Sequence, residues 1–280
     1  MNLVLNNGKE IPNIGFGTWR FPNDETTPEI IKLAIDTGFR HFDTASSYEN
    51  QVTIGKGING SNIPREELFI TGKLWNENRG YDNILEACKK TIADLNCEYL
   101  DLYLMHWPAS KAVYENWEEI NNETWRAMEY LYETGLVKAI GVCNFKESQL
   151  EPLIKNAKVK PMLNQIELHP GLNQKEIIEY CKQENIIIGA WSPFGSGKLL
   201  KKEAIKEIAE KYNKSAAQIC LKWCMQKGAI PLPKSETKEM MLENLNLDDF
   251  EISETDMKII DEMPFMGGFN FDSETITLFD

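Results

Sequence analysis

The chain has 280 residues, 42% hydrophobic and 26% charged, with 18 glycines and 12 prolines. That composition excludes a disordered, collagenous or disulfide-scaffold chain and is ample for a sizeable core. Thirty basic residues against 43 acidic ones give a formal net charge of −13, which argues against nucleic acid or anionic membrane as partners, because phosphate recognition needs basic surface.

No apolar run approaches the roughly 20 residues of a membrane helix. The first ten residues hold neither a basic region nor an apolar stretch, so no secretory leader is expected. Six cysteines stand singly in apolar segments, with no C-x-x-C pair. That is the habit of buried free thiols in a reducing compartment, so cytoplasmic localisation is expected. Cys220 and Cys224 lie one helical turn apart, but no further ligand is near in sequence. With only His41, His106 and His169 besides, no metal site is expected.

The chain opens with a hairpin signal. Residues 3–12 place two short strand-like pieces around Asn7-Gly8, a dipeptide suited to a tight turn between antiparallel strands. Thereafter short β-rich segments alternate with amphipathic helical ones, the pattern of βα units and a parallel sheet. Eight strands are predicted, at 14–17, 41–43, 68–74, 100–106, 139–142, 162–167, 186–191 and 229–232. Several lack clean alternation, as strands covered on both faces should.

Helices fall between them. Thr27-Pro28 opens the first with a cap and a first-turn proline, Ile30, Ile31, Ala34 and Ile35 share its face, and Gly38 closes it. Further apolar stripes are Ile84, Cys88, Ile92 and Leu95; Ile177, Ile178 and Cys181; and Ala216, Cys220, Trp223 and Cys224. Residues 124–134, closed by Gly135, form another helix, and residues 253–262 an extra one after the eighth unit. Long loops are expected at 107–122 and 192–202. The expectation is an α/β chain whose residues 1–280 form a single (β/α)8 TIM barrel with an N-terminal β-hairpin and an extra C-terminal helix. A doubly wound sheet is the alternative. However, Gly15-Phe16-Gly17-Thr18-Trp19-Arg20 has two of the three fingerprint glycines and no helix after it, and no G-x-x-x-x-G-K-[ST] motif exists.

A barrel places its chemistry at the C-terminal ends of the strands. There the sequence sets Asp43 with Tyr48 shortly after, then Lys73, His106, Cys143-Asn144, Gln165-Ile166-Glu167, Trp191-Ser192 and Lys234-Ser235. Singly, most have ordinary roles: an aspartate caps a helix, a tyrosine packs half-buried, a histidine beside tryptophan sits in a core. Lys73 differs, because it lies in an apolar segment between Thr71 and Leu74. A lysine buried there needs an anion to stay charged, and Asp43 on the neighbouring strand supplies one. A phenol near pKa 10 is a poor proton donor at neutral pH, and a cation beside Tyr48 is expected to lower it. His106 adds a second donor to the same oxygen. Such a clamp suits reduction of a carbonyl, with a nicotinamide cofactor as hydride source.

These segments make the chain recognisable. GFGTW, DTASSYEN, GKLW, LMHWP, GVCNF, NQIELHP, WSPFG and PKS occur in order, and over essentially its whole length the chain resembles the aldo-keto reductase family. Its length and GSGKLL segment are similar to the shorter microbial members, such as diketogluconate reductases and prostaglandin F synthase-like enzymes. The resemblance implies a catalytic tetrad of Asp43, Tyr48, Lys73 and His106, with Tyr48 as acid in reduction and base in oxidation. It implies that Asn144 and Gln165 bond the nicotinamide carboxamide and that Trp191 stacks on the ring. Gly17, Thr18, Trp19, Cys143, Ser192, Phe194, Gly195, Lys198, Ser235 and Thr237 complete the expected cofactor contacts. Glu243 and Asn244 stand at the adenine position. The expected substrate pocket has Tyr48 and His106 at its floor, Trp19, Trp75 and Trp107 as walls, and Phe271 from the tail. The implied cofactor is NADP(H), the substrate a small carbonyl compound, and the state a monomer.

Departures from the family pattern are specific. Cys143 replaces a serine, and a thiol donates more weakly than a hydroxyl. Trp191 replaces a tyrosine. Lys234 is retained for the 2′-phosphate, but Met240 stands where the family has an arginine and Glu236 adds a carboxylate. Loss of a bidentate partner and gain of an acid able to bond a free ribose hydroxyl imply a relaxed preference, with NAD(H) accepted. The alternative is that Lys238 or a nearby hydroxyl replaces the arginine. The same residues leave two alternative functions: a Schiff-base aldolase with Lys73 as nucleophile, and a non-enzymatic cofactor-binding barrel.

Overall fold

A computed structural model describes residues 2–277. Strands β1 (Asn2–Val4) and β2 (Glu10–Pro12) pair antiparallel, with Asn2 opposite Pro12. The turn between them works because Gly8 takes φ +86° and Asn7 Oδ1 accepts the Lys9 N–H at 3.0 Å. The remaining strands are β3 (Phe16–Gly17), β4 (His41–Asp43), β5 (Phe69–Leu74), β6 (Leu102–Met105), β7 (Ile140–Cys143), β8 (Leu163–Glu167), β9 (Ile187–Trp191) and β10 (Ala229–Pro231). They form one eight-stranded sheet in sequential order, every pairing parallel.

The first and last strands meet. Gly15 and Gly17 N–H groups donate to Pro231 O and Pro233 O, both at 3.0 Å. Pro233 has no N–H to return a bond, so the seam is stitched from one side only. Gly17 is required there, since a Cβ would lie 2.8 Å from Leu232 O. The result is the expected (β/α)8 barrel.

Helices α1 (Thr26–Thr37), α2 (Gln51–Asn59), α3 (Tyr81–Asp94), α4 (Trp117–Glu133), α5 (Glu147–Asn156) and α6 (Lys175–Gln183) alternate with the strands. Two helices, α7 (Glu203–Lys211) and α8 (Ala216–Gln226), share the connection from β9 to β10; α9 (Lys238–Leu245) and α10 (Glu254–Asp261) follow. The extra C-terminal helix is present as expected. An additional one, α7, was not expected, although Ile205, Ile208 and Ala209 give it a buried stripe. The long loop expected at 107–122 is corrected too, because α4 begins at Trp117, seven residues before the expected 124. Its first turns are polar and carry little apolar period. At α1 the expected cap Thr27 instead donates its hydroxyl to Pro22 O at 2.6 Å, while Asp24 accepts the Thr26 N–H at 2.9 Å.

The hairpin lies across the N-terminal ends of the barrel strands. Leu5 and Ile11 are buried. Asn6 donates to Pro161 O at 3.0 Å and Asn185 O at 3.3 Å, and Lys9 pairs with Asp101 at 3.1 Å. That end is therefore plugged, leaving chemistry to the other. Among the described residues no helix is long and apolar enough to cross a membrane.

One buried histidine gives the fold a testable pH dependence. His41 Nε2 sits 2.9 Å from Thr71 Oγ1 and burial, reinforced by the Lys73 charge, holds its pKa down at about 3 against 6.5 unfolded. Between those values the unfolded chain binds the extra proton, so stability falls as pH drops from 6.5 towards 3, by of order 1 kcal/mol per unit. Denaturant unfolding at pH 6.5 and 4.5 should show a smaller acid loss in His41→Asn than in the wild type; equal losses would assign the acid sensitivity elsewhere.

Candidate active site

Asp43 ends β4, and its own backbone is pinned. Thr18 donates to Asp43 O through its N–H at 3.1 Å and its hydroxyl at 2.8 Å, and Asn50 holds Thr18 O at 3.0 Å. Thr18 is thus a support of Asp43. Lys73 projects from β5 and is wholly buried. Its ammonium donates to Asp43 Oδ1, to Tyr48 Oη at 3.1 Å and to Thr44 O at 3.4 Å. Tyr48 closes a single 3-10 turn, Ser46–Tyr48, directly after β4. From β8, four strands round the sheet from β4, Gln165 Nε2 donates to Asp43 Oδ2 at 2.7 Å. Both carboxylate oxygens are therefore engaged, and the network spans the barrel.

The electrostatics follow from that packing. Burial alone would lower the Lys73 pKa, but the Asp43 carboxylate and Tyr48 beside it outweigh burial and hold it above the ordinary lysine range. For Tyr48 the expected lowering is overturned. Lys73 does act downward, but burial outweighs it and Asp43 adds to burial, so the phenol is pushed up to about 12. Burial, with Lys73 nearby, holds His106 well below its usual value. Near neutral pH the site therefore presents a charged lysine, a protonated phenol and a neutral imidazole. The imidazole follows β6, its Nδ1 3.5 Å from Ser47 Oγ, its ring edge-on to Tyr48 at 5.8 Å and to Trp75 at 5.1 Å. These are donors for an oxygen that gains negative charge.

The residues expected around a nicotinamide adjoin this network. Asn144, at φ +63°, follows β7. Its Nδ2 donates to His106 O at 3.0 Å, and its Oδ1 accepts the Trp191 indole N–H at 2.8 Å. Trp191 thus does more than offer a flat face. Burial keeps the neighbouring Cys143 thiol neutral. Beyond β9, Ser192 Oγ accepts the Ser196 N–H at 2.9 Å, Ser192 O accepts the Gly195 N–H at 2.8 Å, Phe194 packs on the core, and Lys198 is exposed.

A second group lies at and before the start of α9. Lys234 pairs with Glu236 at 2.8 Å and rests 4.4 Å over the Phe21 ring. Thr237 caps α9 by accepting the Met240 N–H at 3.3 Å, and Met240 is exposed. Asn244 is buried and donates to the equally buried Ser235 hydroxyl at 2.7 Å, whereas Glu243 is half-buried.

The aromatic residues ring the mouth. The Arg20 guanidinium lies 4.1 Å from the exposed Trp19 ring. Trp107 is buried and faces Phe271 at 6.2 Å. Phe269 was missed by sequence reasoning: its ring meets Trp19 at 5.6 Å, Trp191 at 6.1 Å and Phe271 at 5.2 Å. The alternation Phe269-Asn270-Phe271 after two glycines was the available signal. Glu167 was noted only as a strand-end acid, and it proves to hold that segment.

Residues 13–264 match the sequence profile described as the aldo/keto reductase family. The chain belongs to that family. It is similar to glyoxal reductase of Bacillus subtilis, with 46% identity covering 92% of this chain and 91% of the relative. Among solved structures it is similar to an aldo/keto reductase from Brucella melitensis, at TM-score 0.86 and 43% identity, covering 93% of this chain and 98% of that one. A Bombyx mori aldo-keto reductase solved in complex with NADP aligns at TM-score 0.84 and 32% identity over 93% and 92% of the two chains.

Proposed function

We propose that this aldo/keto reductase reduces small aldehydes and ketones, with Asp43, Tyr48, Lys73 and His106 as its catalytic residues. The observation that carries this reading is the Lys73 ammonium bonded to both Asp43 and the Tyr48 hydroxyl. Asp43 keeps Lys73 charged. Lys73 donates to the phenol oxygen, which leaves the phenolic proton free to point at a substrate. Tyr48 delivers that proton to the carbonyl oxygen, and His106 donates a hydrogen bond to the same atom. Because the phenol ionises only as pH rises through about 12, the donor is in place throughout the neutral range. In the reverse direction the same oxygen acts as base, and the Lys73 ammonium 3.1 Å away stabilises the phenolate that this needs. A Schiff-base role for Lys73 is disfavoured, since that chemistry needs a neutral amine.

The residues fit a nicotinamide cofactor. The amides of Asn144 and Gln165 and the ring of Trp191 stand on three neighbouring strand ends, and Gln165 touches Asp43. When bound, the cofactor supplies the hydride to the carbonyl carbon. The NADP complex of the Bombyx mori relative supports NADP(H). Glu236 supports a broader choice: Lys234 already carries a carboxylate, so a 2′-phosphate must compete for it, and no arginine stands at Met240. NADH is then also used. The name of the Bacillus subtilis relative makes glyoxal the first substrate to test. All six cysteines are free, which supports a reducing, cytoplasmic setting, and we place the enzyme there as a monomer without nucleic-acid or membrane partners.

Tyr48→Phe should lower kcat for glyoxal reduction by about 100-fold or more while leaving the Kd for NADPH within about twofold. Near-normal kcat would remove Tyr48 as the acid. Wild-type kcat/KM with NADPH should exceed that with NADH by less than about a thousandfold, some 4 kcal/mol; a larger ratio would contradict the role given to Glu236 and Met240.

A further inference from the structure

The segment 264–276 crosses the barrel mouth as a strap, and its seat is built by one buried carboxylate. Glu167 ends β8 and is 3% exposed. Its Oε1 accepts the Phe269 N–H at 2.8 Å and its Oε2 accepts the Asn270 N–H at 2.7 Å. Both oxygens thus accept consecutive backbone amides of the strap, and Oε1 also lies 3.5 Å from the buried His169 Nε2. Charge-assisted bonds of this kind, out of water, are among the stronger ones available.

The backbone beside the clamp fits only without side chains. A Cβ at Gly268, which sits at φ +94°, would collide with Glu167 Oε1 and His169 Nε2. A Cβ at Gly267 would lie 3.0 Å from Gly195 O, and one at Gly195 would lie 3.2 Å from Gly267 C. Two glycines therefore let the strap cross the loop after β9 at backbone contact. Farther on, Ser273 and Gln149 exchange bonds at 2.9 and 3.3 Å, and Glu274 takes the Ser148 hydroxyl at 2.8 Å. Between these anchors the strap presents Phe269 to Trp19 and Trp191.

We propose that Glu167 is a positioning residue for substrate: by clamping the Phe269 and Asn270 amides it fixes the Phe269 ring as the inner wall of the carbonyl pocket. The proposal rests on the reductase reading above. Loss of the clamp frees the ring, so small carbonyl compounds lose a wall they need, while the proton donors and the nicotinamide residues stay in place.

The test combines kinetics with hydrogen exchange on wild type, Glu167→Gln, Phe269→Ala and the double variant. Glu167→Gln should raise KM for glyoxal about tenfold and leave kcat and the NADPH Kd within about twofold. Phe269→Ala should do the same, and the double variant should match Phe269→Ala alone, because the two residues act as one unit. The amides of residues 269 and 270 should exchange at least about tenfold faster in Glu167→Gln. An unchanged KM, an effect of Glu167→Gln that multiplies on the Phe269→Ala background, or retained protection of the two amides would each overturn the proposal. Absence of carbonyl reduction by the wild type would overturn the reductase reading and with it the pocket role, while exchange at 269 and 270 would still decide the clamp.

Discussion

A lysine ammonium inside a protein core is tolerable only beside an anion, and the Lys73–Asp43 pair meets that condition inside the barrel. Taking both charges out of water costs several kcal/mol per ion before their attraction and hydrogen bonds offset it. The barrel supplies those bonds with little slack. Asp43 spends one oxygen on Lys73 and the other on Gln165, and Lys73 turns its remaining donors to Tyr48 and Thr44. The pair is an expensive way to fill a core and is explained by its consequence, a fixed cation against a phenol oxygen.

That cation does not make Tyr48 acidic in the simple sense. Burial raises the phenol more than Lys73 lowers it. The lysine instead fixes the direction of the phenolic proton and stands ready to stabilise the phenolate formed when the proton leaves. A neutral His106 complements this, since a second fixed cation would be repelled by Lys73. The surrounding structure serves the same end. The hairpin plugs one end of the barrel, Thr18 and Asn50 pin Asp43, and the strap held by Glu167 walls the other end with aromatic rings.

Much of this was legible in the sequence because barrels place chemistry at strand ends. The order of eight β-rich segments gave the architecture, and an isolated lysine in an apolar strand marked the site. What escaped shares a physical cause. The first turns of α4 are polar and carry too little apolar period to stand out from loop, whereas α7 does carry the Ile205, Ile208 and Ala209 stripe but packs it into nine residues within a connection otherwise read as loop. The extent of β3 shrank to Phe16–Gly17 because its outer partner ends in prolines that cannot donate. The balance between burial and Lys73 at Tyr48 depends on depth, which no residue spacing encodes. Phe269 and Glu167 meet across 102 positions, and pairings at that range leave no local pattern. Trp191 read as a stacking ring, yet only the fold shows its N–H fixing the Asn144 amide.

The charge state of Lys73 is the quantity on which the whole site depends. Nitrogen-15 NMR of the lysine side chains, with Lys73 assigned by comparison with Lys73→Met, reads it directly. An ammonium signal from Lys73 that does not titrate between about pH 6 and 10 is the expected result. A Lys73 that loses its proton near neutral pH would contradict the ion pair, the orientation of the Tyr48 proton and the reductase mechanism built on both.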